Sequence, residues 1–187
     1  NQVNSILGST KRGYLDTYSL VQARNLKPRD MVYGGLVGGK TGYSVTHKTD
    51  GERRMLVFSE SGVWLISANS TSRISASSLA TLNGTILDGE MVPLEKRLVG
   101  APKSKFWFLA FDTLSWNSNN SVQNEIHNVR MSYAQKVSDT MKGDVLRVNT
   151  KSFTVFETPD EFFKVMRDMF KQQLVLPYKQ DGFMFTP

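Results

Sequence analysis

The sequence predicts an α+β protein with a mostly antiparallel sheet and flanking helices. From residue 43 onward, several segments alternate between apolar and polar residues, as strands do, and two later segments carry apolar residues at helical spacing. Of the 187 residues, 40% are hydrophobic and 11% aromatic, which is enough to bury a sizeable core. No internal repeat is visible, so we expect one domain.

The first half of the chain predicts a short helix and then strands. Residues 16–25 carry apolar side chains near helical spacing, and Pro28 ends this segment. The alternating segments predict a β-meander with turns at Asp50-Gly51 and at residues 60–62. These strand segments are residues 43–48, 53–60 and 62–68. The polar stretch 69–78 is predicted as a loop or a weak start to the next element.

The second half predicts further strands and two amphipathic helices. Residues 85–87 and 90–92 flank the turn-forming pair Asp88-Gly89. The nearly continuous apolar run 105–114 suits a strand buried on both faces. Residues 126–141 form the first helical pattern, which Gly143 ends. Thr158, Pro159 and Glu161 are an N-cap and capping box for the second helix, whose apolar set predicts a wide buried stripe. Residues 183–185 predict a final strand.

Composition excludes several kinds of site. The chain has no cysteine and two histidines, which leaves no disulfide or thiolate metal site and little for a histidine relay, so a metal would bind to carboxylates. The net charge of +6 favours a polyanionic partner without locating it. No apolar run approaches the roughly 20 residues that span a bilayer, so we expect no membrane partner. Because the chain starts at Asn1, we expect a piece of a longer protein.

Two motifs suggest phosphate chemistry. Residues 34–41 (GGLVGGKT) match the phosphate-loop pattern, but a strand-like segment follows them where that loop needs a helix, so we expect a flexible glycine connection. Residues 47–53 (HKTDGER) place an amine, a carboxylate and an arginine around one glycine. A neutral lysine amine is a good nucleophile toward phosphorus once it has lost its proton. The alternative interpretation of this string is a hairpin with solvated charges.

Four strings in order resemble one family, the covalent nucleotidyltransferases, which include DNA ligases, RNA ligases and mRNA capping guanylyltransferases. Residues 48–53 (KTDGER) are similar to the family's KxDGxR motif, and 87–92 (LDGEMV) to its second acidic motif. Residues 108–114 (FLAFDTL) resemble the aromatic motif, and 181–187 (DGFMFTP) the next one. The resemblance implies a nucleotidyltransferase (ATP-grasp-like ligase/capping) core lobe.

Two details make the resemblance closest to the guanylyltransferase domain of capping enzymes, viral ones included. The last motif begins with Asp181, where ligases usually have Glu, and Thr49 follows the lysine. We therefore expect a nucleotidyltransferase domain over 1–187, with an N-terminal helix and glycine-rich connection in 1–42 and the catalytic lobe in 43–187. The family's distal lysine motif and C-terminal OB-fold domain do not follow Pro187, so we expect this fragment to be weak or inactive alone.

The resemblance also implies residue roles. Lys48 is the nucleophile that forms lysyl-GMP from GTP, and Asp50 and Arg53 complete the catalytic set. Arg53 would hold the ribose hydroxyls, and Glu90 the sugar or a metal-bound water. Glu90 and Asp181 would place Mg²⁺ or Mn²⁺. Phe111 would stack on the guanine.

Simpler interpretations exist for several of these positions. Phe111 suits a core phenylalanine, and turn formation explains Asp50 and Asp88 about as well as catalysis does. Asp112 is similarly ambiguous. Arg54 should face the opposite side from Arg53 and is predicted to be a surface charge.

The predicted function is transfer of GMP from GTP to a 5′-diphosphate RNA end. The expected partners are GTP, that RNA and further capping domains, namely an OB-fold, a triphosphatase and a methyltransferase. Basic residues such as Lys103 and Lys105 would lie near the RNA. We expect an intracellular protein, in the nucleus or, for a viral enzyme, in the host cytoplasm or virion. The alternatives are an ATP-dependent DNA or RNA ligase adenylylation domain and a non-catalytic scaffold lobe of a capping complex.

Overall fold

The computed structural model describes residues 3, 22–38, 42–75, 77, 79–95, 106–141 and 146–187. They divide into two compact units. The first contains Val3 and Gly51–Thr150, and the second contains Gln22–Asp50 and Lys151–Pro187. The predicted α+β class is confirmed, since both units are built on antiparallel-rich sheets with helices. The predicted boundary at residue 42 stays a prediction.

The described part of the chain forms nine strands and two α-helices. The strands are β1 (Tyr43–Thr49), β2 (Glu52–Ser59), β3 (Gly62–Ile66), β4 (Thr71–Ser75), β5 (Ile86–Pro93), β6 (Phe106–Ser115), β7 (Arg147–Thr150), β8 (Thr154–Phe156) and β9 (Gln180–Thr186). The helices are α1 (His127–Thr140) and α2 (Pro159–Gln173). Neither helix is long and apolar enough to cross a membrane.

A six-stranded sheet in the order β4-β3-β2-β5-β6-β7 forms the first unit. Its neighbours are antiparallel except for β6 and β7, which run parallel. Successive side chains of a strand point to opposite faces, so the consecutive apolar residues of β2 cover both sides of this sheet. Leu56 and Phe108 pack with Ala134 of α1, whereas Met55 and Ile86 belong to a separate cluster. The strand predicted in the run 105–114 is confirmed as β6, and its consecutive buried residues Phe108 and Leu109 show that it is covered on both faces.

The second unit is a three-stranded antiparallel sheet, β8-β1-β9, with α2. Val45 of β1 lies in one apolar cluster with Phe156, Phe162 and Met169. The predicted capping box is present, because Thr158 accepts a hydrogen bond from the Glu161 backbone and the Glu161 side chain accepts one from the Thr158 backbone. The predicted start of α2 is therefore confirmed.

The predicted β-meander is wrong at its first strand. β1 pairs with β8 and β9, and not with β2, so Asp50-Gly51 is not a hairpin turn. Alternation marks a strand but does not identify its neighbour, and here the partner strand β9 comes from the far end of the sequence. The polar stretch 69–78 contains strand β4, where only a loop or a weak start was predicted.

Two helix predictions also need correction. Phe163 and Phe170 are exposed, so the buried stripe of α2 is narrower than predicted and is limited to Phe162 and Met169 with partly buried neighbours. Residues 22–25 are not helical, and the rest of the predicted helix 16–25 lies outside the described residues. Gly143, the predicted end of the first helical pattern, also lies outside the described residues.

Candidate active site

Lys48 and Asp181 meet on neighbouring strands of the second unit. The Lys48 Nζ lies 2.6 Å from Asp181 Oδ2 and 2.8 Å from Oδ1. The two side chains are 46% and 52% exposed, so a ligand in solvent can reach the amine. The structure therefore brings together the predicted nucleophile and one predicted metal ligand.

Asp181 is the extra residue of a β-bulge. The register passes from Lys48 opposite Gly182 to Thr49 opposite Gln180, which leaves Asp181 without a register partner. Bulges of this kind change the direction of a side chain and occur often beside active sites. Gly182 has a φ of 147°, a value that glycine adopts far more readily than other residues. The Asp-Gly pair of this motif thus directs the carboxylate toward Lys48 and permits the backbone that does so.

Three other predicted residues lie together in the first unit. Arg53 of β2 and Glu90 of β5 are direct register partners, and such partners project from the same face. The Arg53 guanidinium carbon lies 5.5 Å from the centroid of the Phe111 ring, a cation–π distance. This face therefore presents a cation, a carboxylate and an aromatic ring side by side.

Asp88 holds Arg53 in place. The Arg53 Nε donates to Asp88 Oδ1 at 3.0 Å, and Nη2 donates to Oδ2 at 2.5 Å. Burial raises the pKa of the Asp88 carboxyl above its ordinary value, and the guanidinium opposes that shift. An arginine bound at both carboxylate oxygens has a defined orientation. Asp88 is therefore a positioning residue for Arg53. A role in a turn, the simpler interpretation of Asp88, does not explain these two hydrogen bonds.

The glycines of the first two motifs are required by close packing. β5 runs straight through Asp88-Gly89, so the predicted turn there is wrong. A Cβ at Gly89 would collide with the Phe108 ring, and one at Gly51 would collide with the Met91 backbone. The Gly51 amide donates to Glu90 Oε1 at 3.0 Å. Gly51 and Gly89 thus allow strands and side chains to approach the site closely.

Asp50 and Arg54 make contacts outside the two groups of residues around Lys48 and Arg53. Asp50 is exposed, and its amide donates to the Lys179 carbonyl at 3.1 Å, so its catalytic role stays a prediction. Arg54 donates to Glu52 Oε2 at 2.7 Å and keeps only 19% of its side chain exposed. The prediction of Arg54 as a surface charge is therefore wrong.

Sequence reasoning missed several groups near the motifs. In the first unit, His127 and Arg130 of α1 bind the segment that carries Phe111. In the second, Lys151 and His47 are buried. Burial lowers the pKa of His47, the Lys151 charge lowers it further, and the Gln172 side chain opposes the shift. No sequence signal marked Lys151, His127 or Arg130, because their roles depend on contacts between distant segments. His47 belongs to the string 47–53, but its burial was not predicted.

Two further predictions concern residues that lie outside the described ones. Residues 39–41 of the glycine-rich segment are among them, although β1 begins at Tyr43 as the strand prediction required. Lys103 and Lys105 are also outside.

The donor chemistry of Glu90 and Asp181 fits a divalent cation, because carboxylate oxygens are the ligands that Mg²⁺ prefers. Within the described ranges, no group of three or more His, Cys, Asp or Glu side chains is arranged to hold a metal. A cation at either carboxylate would therefore complete its coordination with water and phosphate oxygens, as Mg²⁺ usually does in nucleotide sites. The metal roles of these two residues stay predictions.

Solved structures with the same fold include two ligase chains, named Pmar-Lig_Pre. and Pmar-Lig_PreS3. Their TM-scores are 0.53 and 0.52, each at 13% identity. The matches cover 80% and 78% of this chain, which spans about two fifths of their length (39% and 38%). No curated protein sequence matches the chain.

A family model described as "mRNA capping enzyme, catalytic domain" matches residues 39–187. This range contains all four motifs and every residue that forms the two groups around Lys48 and Arg53. The chain therefore belongs to the mRNA capping enzyme catalytic domain family.

Proposed function

We propose that the domain is an mRNA guanylyltransferase, which takes GMP from GTP as a lysyl-GMP on Lys48 and passes it to the 5′-diphosphate end of RNA. The observation that carries the proposal is the exposed Lys48 amine, held by Asp181 inside a motif that the capping family model covers. Covalent catalysis needs a nucleophile that the nucleotide can reach, and Lys48 meets this requirement.

The proposed chemistry consists of two in-line displacements at one phosphorus atom. First, the lone pair of Lys48 Nζ forms a bond to the α-phosphorus of GTP, and pyrophosphate leaves with the electron pair of the broken P–O bond. Next, a terminal oxygen of the RNA diphosphate attacks the same phosphorus. The P–N bond breaks with its electron pair going to nitrogen, which takes up protons from solvent to return the lysine. Each step replaces one bond at phosphorus by another, so binding and charge placement supply most of the catalysis.

The Lys48–Asp181 pair is a resting arrangement in this mechanism. An ammonium that donates to both oxygens of a carboxylate has no lone pair available for attack. The amine must therefore separate from Asp181 and give a proton to solvent before the P–N bond forms. Asp181 and Glu90 are each proposed as a carboxylate ligand for Mg²⁺ or Mn²⁺, whose charge would offset the negative charge that builds on the phosphate oxygens.

The first unit supplies nucleotide-binding groups under this proposal. Phe111 is only partly buried, so part of its side chain is accessible, and we propose that a base stacks on the ring there. Arg53 is oriented by Asp88 and would hold the ribose hydroxyls, and Glu90 would bind the sugar or a metal-bound water. The proposed acceptor is RNA, for which the net charge of +6 is favourable.

The test is covalent labelling. The natural form of the protein is incubated with [α-³²P]GTP or [α-³²P]ATP and Mg²⁺ or Mn²⁺, then separated by denaturing electrophoresis and treated with acid. We expect acid-labile label from GTP in the wild type and in Lys171→Ala, an exposed lysine on α2, and none in Lys48→Ala.

The other outcomes separate the alternatives. Label from ATP alone would replace the proposal by a ligase-type adenylylation domain, which the fold likeness to ligases permits. No label from either nucleotide, together with unchanged partner binding by Lys48→Ala, would indicate the scaffold.

A further inference from the structure

Phe111 is the extra residue of a bulge in β6. Asp112 lies opposite Asp88 and Ala110 lies opposite Gly89, so Phe111 has no register partner on β5. On the other side of β6, the register with β7 ends at Ala110. The direction of the Phe111 ring therefore depends on contacts other than the regular ladder.

Those contacts come from the beginning of α1. The Arg130 Nε donates to Asp112 Oδ1 at 2.6 Å, and Nη2 donates to Oδ2 at 3.1 Å. A third guanidinium nitrogen, Nη1, donates to the Glu125 carbonyl at 2.6 Å. The two side chains are only 19% and 23% exposed, so water screens this pair weakly. Arg130 thus holds Asp112, the residue next to Phe111.

The flanking residues are held by the same helix. His127 Nε2 lies 3.0 Å from the Phe111 carbonyl oxygen, and because a carbonyl only accepts, the imidazole donates. The Thr113 hydroxyl donates to the Arg130 carbonyl at 2.7 Å, and Thr113 is fully buried. Three consecutive residues of β6, 111–113, therefore each bind α1.

We infer that Arg130 and His127 are positioning residues for nucleotide binding, which set the direction of the Phe111 ring through the bulge. The inference rests on the proposed function, in which Phe111 stacks on the base. Neither Arg130 nor His127 needs to touch the nucleotide. Arg53 lies against the Phe111 ring, so a shift of the bulge would also disturb the group proposed to bind the ribose.

Amide hydrogen exchange tests the positioning without any nucleotide. In Arg130→Met, we expect exchange at residues 111–113 to rise about tenfold as the bulge opens locally. The matched control is Arg147→Met, because Arg147 contacts Trp107 on the same strand, away from the bulge. Unchanged exchange in Arg130→Met, or an equal rise in Arg147→Met, would overturn the inference.

A double-mutant cycle tests the consequence for the nucleotide. Loss of aromatic stacking on a base weakens binding by about tenfold or more, so Arg130→Met should raise the KM for GTP by about that factor and leave the maximal labelling rate nearly unchanged. Arg130→Lys should restore part of the affinity. In a Phe111→Leu background, Arg130→Met should add little; an equal additional loss there would show that Arg130 does not act through Phe111.

The two experiments fail separately. A wild type that labels with neither nucleotide contradicts the proposed guanylyltransferase, and the exchange result still decides whether α1 positions Phe111. Normal labelling with an unchanged KM in Arg130→Met contradicts the inference and leaves the proposed function intact.

Discussion

Lys48 donates to both carboxylate oxygens of Asp181, yet the two side chains remain about half exposed. Ion pairs in such surroundings contribute roughly 0–1 kcal/mol, because water solvates the separated charges well. The pair thus places the amine without holding it strongly. A nucleotide that offers other partners to Lys48 can separate the two groups at little cost.

Asp181→Asn should therefore leave stability almost unchanged and still impair the reaction. We expect the free energy of unfolding to fall by less than about 1 kcal/mol in urea, whereas covalent labelling falls by at least about tenfold, because a carboxylate that would hold the cation is lost. Asp168→Asn on α2 is the matched control, since that carboxylate lies 3.9 Å from Lys171 at an exposed site. Full labelling by Asp181→Asn would show that this carboxylate is dispensable.

Gly182→Ala should destabilise the protein through its backbone. A Cβ at this position would contact nothing within 4 Å, but the φ of 147° is strained for alanine, and we expect a loss of about 1–3 kcal/mol. Gly42→Ala is the control, since Gly42 has no positive φ and an added Cβ would meet only the Glu157 side chain at 3.9 Å. Urea denaturation measures both variants. Equal stabilities would mean that the bulge at Asp181 relaxes without cost.

Local sequence patterns predicted most of the strands and helices. In α2 and β6 they also predicted where the element begins or how it is buried. The capping box at Thr158 and Glu161 lies within four residues, so the start of α2 could be recognised directly. The apolar run in β6 similarly marked a strand covered on both faces. In each case the relevant contacts are local or follow from burial alone.

Strand partners and bulges could not be predicted in this way. β1 lies beside β9, more than 130 positions along the chain, and alternation in β1 contains no information about that partner. Phe111 and Asp181 were predicted as site residues from their motifs, but each is the extra residue of a bulge, and a bulge is visible only in the register between two strands. The support of Phe111 by Arg130 was missed for the same reason.

Gly89→Ala should destabilise the first unit by overpacking. The added methyl would collide with the Phe108 ring in the core, and inserted carbons of this kind cost about 1–3 kcal/mol. In a Phe108→Leu background, the same change should cost less, because the ring that it strikes is gone. A double-mutant cycle by urea denaturation gives the coupling energy. Additive losses would show that the collision is relieved elsewhere.

His47 should make the stability depend on pH in the mildly acidic range. Burial lowers the pKa of His47 in the folded protein, the Lys151 charge adds to this effect, and Gln172 opposes it. In the unfolded chain, a histidine titrates near about 6.5, so below that pH the unfolded state binds more protons. The contribution of His47 to the free energy of unfolding is therefore fully present above about pH 6.5. It is lost as the pH falls through the lowered pKa of the folded state, by at most about 1.4 kcal/mol per pH unit. Urea denaturation between pH 5 and 8 should show a flatter pH dependence of the free energy of unfolding in His47→Leu than in the wild type, whereas identical slopes in the two proteins would mean that His47 keeps its ordinary titration when folded.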